Sequence, residues 1–104
     1  MIKEIYAVSN NGMFSKDFVL RDQIRRRGVS IMLNIAEGFA RKTNKEFTQF
    51  LVIAHGSTAE VQTALNVAYD QKYIKYEQFE NLYKMADETS RTIMGFLQFL
   101  KKSY

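Results

Sequence analysis

Cysteine is absent from the 104 residues. That excludes a disulfide framework and any thiolate metal site, and it is compatible with the reducing cytoplasm. A single histidine, His55, excludes a histidine-rich metal centre, and neither a metal nor another cofactor is expected. No run of about eighteen apolar residues occurs, so neither a membrane span nor a membrane partner is expected. Residues 1–12, MIKEIYAVSNNG, lack the long apolar stretch of a signal peptide. Proline is also missing. Helices therefore meet no breaker, and asparagine and glycine do the punctuating, most clearly at Asn10-Asn11-Gly12.

The residues that are present suit one small domain spanning 1–104. Apolar residues make up 46% of the chain, enough for one core but not two. The net charge is +4, and its distribution is uneven. Residues 16–45 hold eight Lys and Arg (Lys16, Arg21, Arg25, Arg26, Arg27, Arg41, Lys42, Lys45) against Asp17, Asp22 and Glu37, a net of +5, which leaves the rest at −1. Such concentration suggests an anionic partner; a solvated face without a partner is the plainer reading.

The apolar pattern is helical throughout. After a short opening segment at residues 2–8, Ser15 reads as an N-cap. Ile24, Gly28, Ile31 and Ile35 then recur at helical spacing, and Val29, Leu33, Ala36 and Ala40 form a second stripe about 100° away. Thr43 or Asn44 caps the next helix, whose stripe is Phe47, Leu51, Ala54, Thr58, Val61, Leu65 and Ala68. A break falls at residues 71–76. Phe79, Tyr83, Ala86, Ser90, Ile93, Leu97 and Leu100 mark the last helix. No segment alternates with period two for long. The expectation is all-α: an antiparallel bundle of three long helices of roughly 25–28 residues, about 40 Å each, with the short first segment packed beside them. Two apolar stripes on one helix predict that part of this surface closes against another subunit, unless both are needed within a single bundle.

Several polar residues sit inside these patterns. Arg26, Ser30, Asn34, Glu37 and Arg41 form a seam along the second helix, with Ser57 and Glu60 as counterparts on the third. Read structurally, Ser30, Asn34, Glu37, Ser57 and Glu60 are polar pins that fix helix register, Asn34 and Glu37 being buried. A catalytic Asn/Glu pair lacks an accompanying nucleophile or metal cluster. His55 lacks a positioned acid and nucleophile, since Ser57, two residues on, points to another face. No enzymatic activity is expected. Gly38 reads as a C-cap or a place of close helix approach, and Gly28 and Gly56 as close-packing positions. GxGxxG and GxxxxGK[ST] phosphate loops are both absent. Arg25-Arg26-Arg27 spans about 200° of helix surface, so at least one of the three faces outward. Arg41, Lys42 and Lys45 form a second cluster. With Arg21, these seven residues are the candidate nucleic-acid-binding set.

With these residues in hand, the sequence resembles the four-helix bundle proteins encoded in intervening sequences of bacterial 23S ribosomal RNA genes. The strongest part is QIRRRGVSIMLNIAEGFAR at residues 23–41, where Gln23-Ile24-Arg25-Arg26, Ser30-Ile31, Asn34-Ile35-Ala36-Glu37-Gly38 and Arg41 carry the pattern. Lys45-Glu46-Phe47 through Phe50-Leu51, Ala54, Gly56-Ser57 and Glu60 extend it, as do Tyr73-Ile74 and Phe79. The resemblance implies an antiparallel up-down four-helix bundle, here with a short or truncated first helix, that assembles into a ring-like homopentamer. Related members accompany the reverse transcriptase of diversity-generating retroelements, where a basic surface is implicated in binding nucleic acid and protein. It thus adds RNA or DNA, and a protein such as a reverse transcriptase, as expected partners. Two departures stand out: a full first helix is usual in the family, and Lys75-Tyr76 replaces its usual Ser or Thr cap on the last helix. The first departure predicts an under-covered groove and the second a weakly capped helix end. The leading expectation is a non-enzymatic, oligomeric bundle that binds RNA or DNA; the alternative is a protein-interaction scaffold with no nucleic-acid role.

Overall fold

The computed structural model describes residues 1–102. Helix α1 (Ile2–Ser9) leads through the Asn-Gly turn and one turn of 3₁₀ helix (Phe14–Lys16) into α2 (Phe18–Phe39); α3 (Asn44–Asp70) and α4 (Tyr76–Lys102) follow. The chain is an all-α, antiparallel four-helix bundle, 48 × 21 × 17 Å. α3 packs between α2 and α4, and α1 occupies part of the fourth corner, touching α2 and α4. At 1.5 Å per residue α3 and α4 are about 40 Å long but α1 only about 12 Å. Beyond its first residue the corner is open, as a groove of about 490 Å³ between α2 and α4.

The apolar rhythm builds the core where it was expected. Ile24 and Ile31 of α2, Leu51, Ala54, Val61, Leu65 and Ala68 of α3, and Leu82, Ala86 and Ile93 of α4 are buried together with Ile5 of α1. The second α2 stripe lies outside: Leu33 is 61% exposed, Ala36 and Ala40 are exposed, and Val29 is half-buried. A single bundle therefore uses one α2 stripe, not both.

Three local features differ from the sequence reading. The N-cap of α2 is Asp17, whose Oδ1 accepts from the Leu20 N–H at 3.1 Å. Ser15 instead donates to the Gly12 carbonyl at 2.7 Å within the 3₁₀ turn. The reason is Phe14: this turn places its ring fully inside the core, stacked on Tyr73 at 5.5 Å, and so delays the helix by two residues. The second carboxylate oxygen of Asp17 accepts from the Tyr73 hydroxyl at 2.9 Å, tying the start of α2 to the α3–α4 turn. With that late start, α2 has 22 residues, shorter than expected. Lastly, α4 is not left without a cap: the Gln78 side chain reaches back to accept from the Lys75 N–H at 2.8 Å.

The turn between α3 and α4 is a Schellman motif. The N–H of Tyr73 bonds to the Ala68 carbonyl and that of Lys72 to Tyr69, both at 2.9 Å, with Lys72 in the left-handed region at φ 63°. Thr43 caps α3 by accepting from the Glu46 N–H at 3.2 Å, one of the two caps anticipated there.

Candidate nucleic-acid interface

The signature segment of α2 packs by small residues and hydroxyls. Gly38 lies one residue before the helix end and is not its C-cap; that position is Ala40, in right-handed helical geometry. A methyl group at Gly38 would stand 2.8 Å from Cδ1 of Phe47 and 3.3 Å from Cβ of Phe50, so this glycine is where α3 comes close. Gly28 makes similar room for Ile5 and Ile2 of α1. Nothing lies within 4 Å of the corresponding point on Gly56, which is therefore not a close-packing position.

The polar pins are a narrower set than the seam suggested. The Ser30 and Ser57 hydroxyls meet at 3.0 Å across the α2–α3 interface. Asn34, half-buried, donates from Nδ2 to the Ser30 carbonyl at 2.8 Å and to its Oγ at 3.1 Å. Glu37 is exposed, contrary to its reading as a buried pin, and pairs with Arg41 at 2.7 Å. A buried carboxylate needs a buried partner, and the cation available one turn along stands in solvent. Glu60 is likewise exposed and faces Arg27 at 3.7 Å. His55 is half-buried, with its carbonyl accepting from the Thr58 hydroxyl. No group of three or more metal-ligating side chains occurs among the described residues. No helix there is long and apolar enough to cross a membrane.

The seven candidate cations do not form one surface. Arg21 donates to the Ser15 carbonyl at 3.1 Å and to Asp22 at 3.0 Å, with its guanidinium 4.8 Å from the centre of the Phe18 ring. Arg25 donates to Ser9 Oγ at 2.8 Å and covers the Tyr6 ring at 4.7 Å, pinning α1 to α2. Arg27 turns toward α3 and Glu60. Arg26 alone of the triplet is exposed, beside a shallow groove with Tyr6, Leu33 and Asn34. About 20 Å further along the helix, Arg41 lies over the Phe50 ring at 4.7 Å. Lys42 and Lys45 stand exposed beside it, in no ion pair among the described residues.

Antiparallel pairing adds two cations that the linear sequence does not connect to these. α4 ends where α3 begins, with Phe96 and Phe47 in ring contact at 6.3 Å. Lys101 and Lys102, exposed in the last turn of α4, therefore share the end of the bundle with Arg41, Lys42 and Lys45. Among the described residues, five cations there face two side-chain carboxylates, Glu37 and Glu46, and Arg41 already occupies the first. The opposite end is mixed, with Asp17, Asp22, Asp70, Glu77 and Glu80 against Lys16, Arg21, Lys72, Lys75 and Lys84. The +4 molecule is thus electrically lopsided along its axis.

A family profile described as 23S rRNA-intervening sequence protein matches residues 1–95. The chain belongs to that family. It is also similar to a crystal structure at 1.70 Å of a protein of unknown function from the S23 ribosomal protein family of Bacteroides thetaiotaomicron. The TM-score is 0.84 and the identity 28%, over 92% of this chain and 87% of that one. No curated protein matches the chain. Within the family resemblance at residues 23–41, Ser30 and Gly38 meet α3 and Asn34 bonds back to Ser30; of the cations beside them, Arg25 and Arg27 are internal ties, Arg26 is exposed on the flank and Arg41 stands at the basic end.

Proposed function

We propose that this family member is a non-enzymatic, oligomeric bundle, ring-like and homopentameric, that binds RNA or DNA through its basic end. The observation that carries the reading is the gathering of Lys42, Lys45, Lys101 and Lys102 with Arg41 at one end of a narrow bundle. Fixed cations at one end attract a polyanion and leave the flanks available for subunit contacts. Support for self-association comes from the unused α2 stripe around Leu33 and from Met32, Val52 and Ile53, all more than half exposed. In a ring the basic ends repeat, and their contacts add by effective concentration.

The test is binding to structured RNA and duplex DNA at low and moderate salt. Each phosphate contact contributes about 0.9 to the slope of log affinity against log salt on duplex DNA. The variant with Arg41, Lys42 and Lys45 changed to Ala is expected to bind weakly with a shallower slope. Absence of binding at low salt, or an unaltered slope in the variant, sinks the proposal. A monomer in sedimentation at micromolar concentration removes the ring. The second reading, a scaffold for a protein partner, is favoured by the open apolar groove between α2 and α4. It predicts that a co-purifying protein survives nuclease treatment while oligonucleotides fail to bind.

A further inference from the structure

Phenyl rings crowd the basic end. Phe39, the last residue of α2, is 59% exposed. Its ring meets Phe96 edge-on at 5.8 Å and Phe47 at 4.8 Å. Phe96 is 40% exposed, and Phe99, one turn later on the same helix, is 66% exposed. Along both chain segments cations follow the rings: Phe39 lies two residues before Arg41-Lys42, and Phe99 two and Phe96 five before Lys101-Lys102. Isolated exposed apolar residues are ordinary. Clustered phenyl rings bordered by lysines are a combination with a particular chemical fit. An apolar helix would cover the rings but leave the lysines without counter-charge. A nucleic-acid duplex would neutralise the lysines but keep its base faces stacked inside. A strand with unpaired bases offers phosphates and open π faces together.

We infer that this end is a single-strand site, in which Phe39 and Phe96 stack on unpaired bases while Lys42, Lys45, Lys101 and Lys102 neutralise the flanking phosphates. The inference rests on the proposed nucleic-acid reading of the basic end and adds to it the state of the strand. Two of the four cations and both rings lie outside the set that the sequence pointed to.

The chain has no tryptophan, so Phe39→Trp in the full-length protein places a unique indole at the site. The probes are oligo-rU and oligo-dT of about 12 nucleotides, a duplex of equal length, and inorganic polyphosphate. Single strands of either sugar are expected to quench the indole, and polyphosphate to bind without quenching it. In the tryptophan-free protein, Phe39→Leu and Phe96→Leu each keep the apolar volume but remove the π face. Each is expected to weaken single-strand binding by about five-fold or more, with polyphosphate binding unchanged and the helical circular dichroism intact. Three results overturn the inference and leave the basic-end reading standing: duplex bound as tightly as single strand, binding without quenching by either strand, or undiminished affinity in both leucine variants. Failure of every polyanion to bind at low salt removes the basic-end reading itself, and the inference with it.

Discussion

Three of the four glycines inside helices, Gly28, Gly38 and Gly56, give a graded test of how closely the bundle packs. In a helix interior, alanine is favoured over glycine by about 1 kcal/mol. Whether that gain survives depends on what the added methyl group meets. At Gly56 it meets nothing within 4 Å, so Gly56→Ala is expected to stabilise by about 1 kcal/mol. At Gly28 it meets Cδ1 of Ile5 at 3.1 Å and of Ile2 at 3.2 Å. Both are free ends of flexible side chains; rotating them costs about 0.5–1.5 kcal/mol, and the net effect of Gly28→Ala is close to zero. At Gly38 it meets Cδ1 of Phe47 at 2.8 Å and Cβ of Phe50 at 3.3 Å. Phe47 is wedged between Phe39 and Phe96, and a Cβ moves only with its backbone. Overpacking of this kind costs about 1–3 kcal/mol, while the propensity gain shrinks one residue from the helix end. Gly38→Ala is therefore expected to destabilise by about 1–2 kcal/mol. Thermal unfolding followed by circular dichroism, at one protein concentration so that any subunit linkage is constant, reads each kcal/mol as about 4–8 °C. The expected order of melting temperature is Gly56→Ala, then wild type level with Gly28→Ala, then Gly38→Ala. A Gly38→Ala protein that melts at or above wild type refutes the close α2–α3 approach.

Other positions give independent checks. Lys72 holds the left-handed position of the Schellman turn, so Lys72→Gly is expected to raise stability by about 0.5–1 kcal/mol in chemical denaturation; a loss would mean that the lysine side chain contributes there. Ser30→Ala and Ser57→Ala should each cost about 1 kcal/mol, and the double variant less than the two together, because they share one hydroxyl pair; strict additivity counts against the bridge. Tyr73 is held above the ordinary tyrosine value, first by its hydrogen bond to Asp17 and then by desolvation. A phenol raised in the folded state contributes stability that is present below its unfolded value and lost as pH rises through its folded one. The denaturation midpoint should therefore fall above about pH 10. Tyr73→Phe should flatten part of that decline, leaving the share of Tyr76, which Glu80 raises in the same direction; an unchanged alkaline profile excludes the Tyr73–Asp17 bond.

What the sequence made legible is what depends on local periodicity. The α3 stripe from Leu51 to Ala68 is buried as its spacing predicts, and the break after Asp70 and the Thr43 cap fall within the expected range. The start of α2 was not legible, because Ser15 and Asp17 are both good caps and the choice is made by Phe14 reaching Tyr73, 59 residues away in sequence. Glu37 and Glu60 share helix faces with buried hydroxyls, yet their longer side chains reach solvent, and spacing does not distinguish the two outcomes. The arginines show the same limit more sharply. Arg25 resembles an interface residue in isolation, but its partner is Ser9 of α1, 16 positions earlier.

The basic end is a property of topology before it is one of sequence. Lys42 and Lys45 follow the second helix, and Lys101 and Lys102 close the fourth; nothing in their spacing relates them. Because α3 and α4 are both 27 residues long and antiparallel, the close of one lies level with the opening of the other. The four lysines meet there only if α4 keeps that register. Phe47, Phe39 and Phe96 stand at the same level and touch one another, so the register that levels the cations also brings the rings together. The four charges and the rings therefore depend on one shared register. Shortening α4 by one turn before Phe96 would move Phe96, Lys101 and Lys102 about 5.4 Å along the axis and so draw Phe96 away from Phe39 and Phe47. It would weaken polyanion binding without removing a single charge. A charge count along the chain would predict no change, and the comparison of those two outcomes separates a built surface from a merely basic composition.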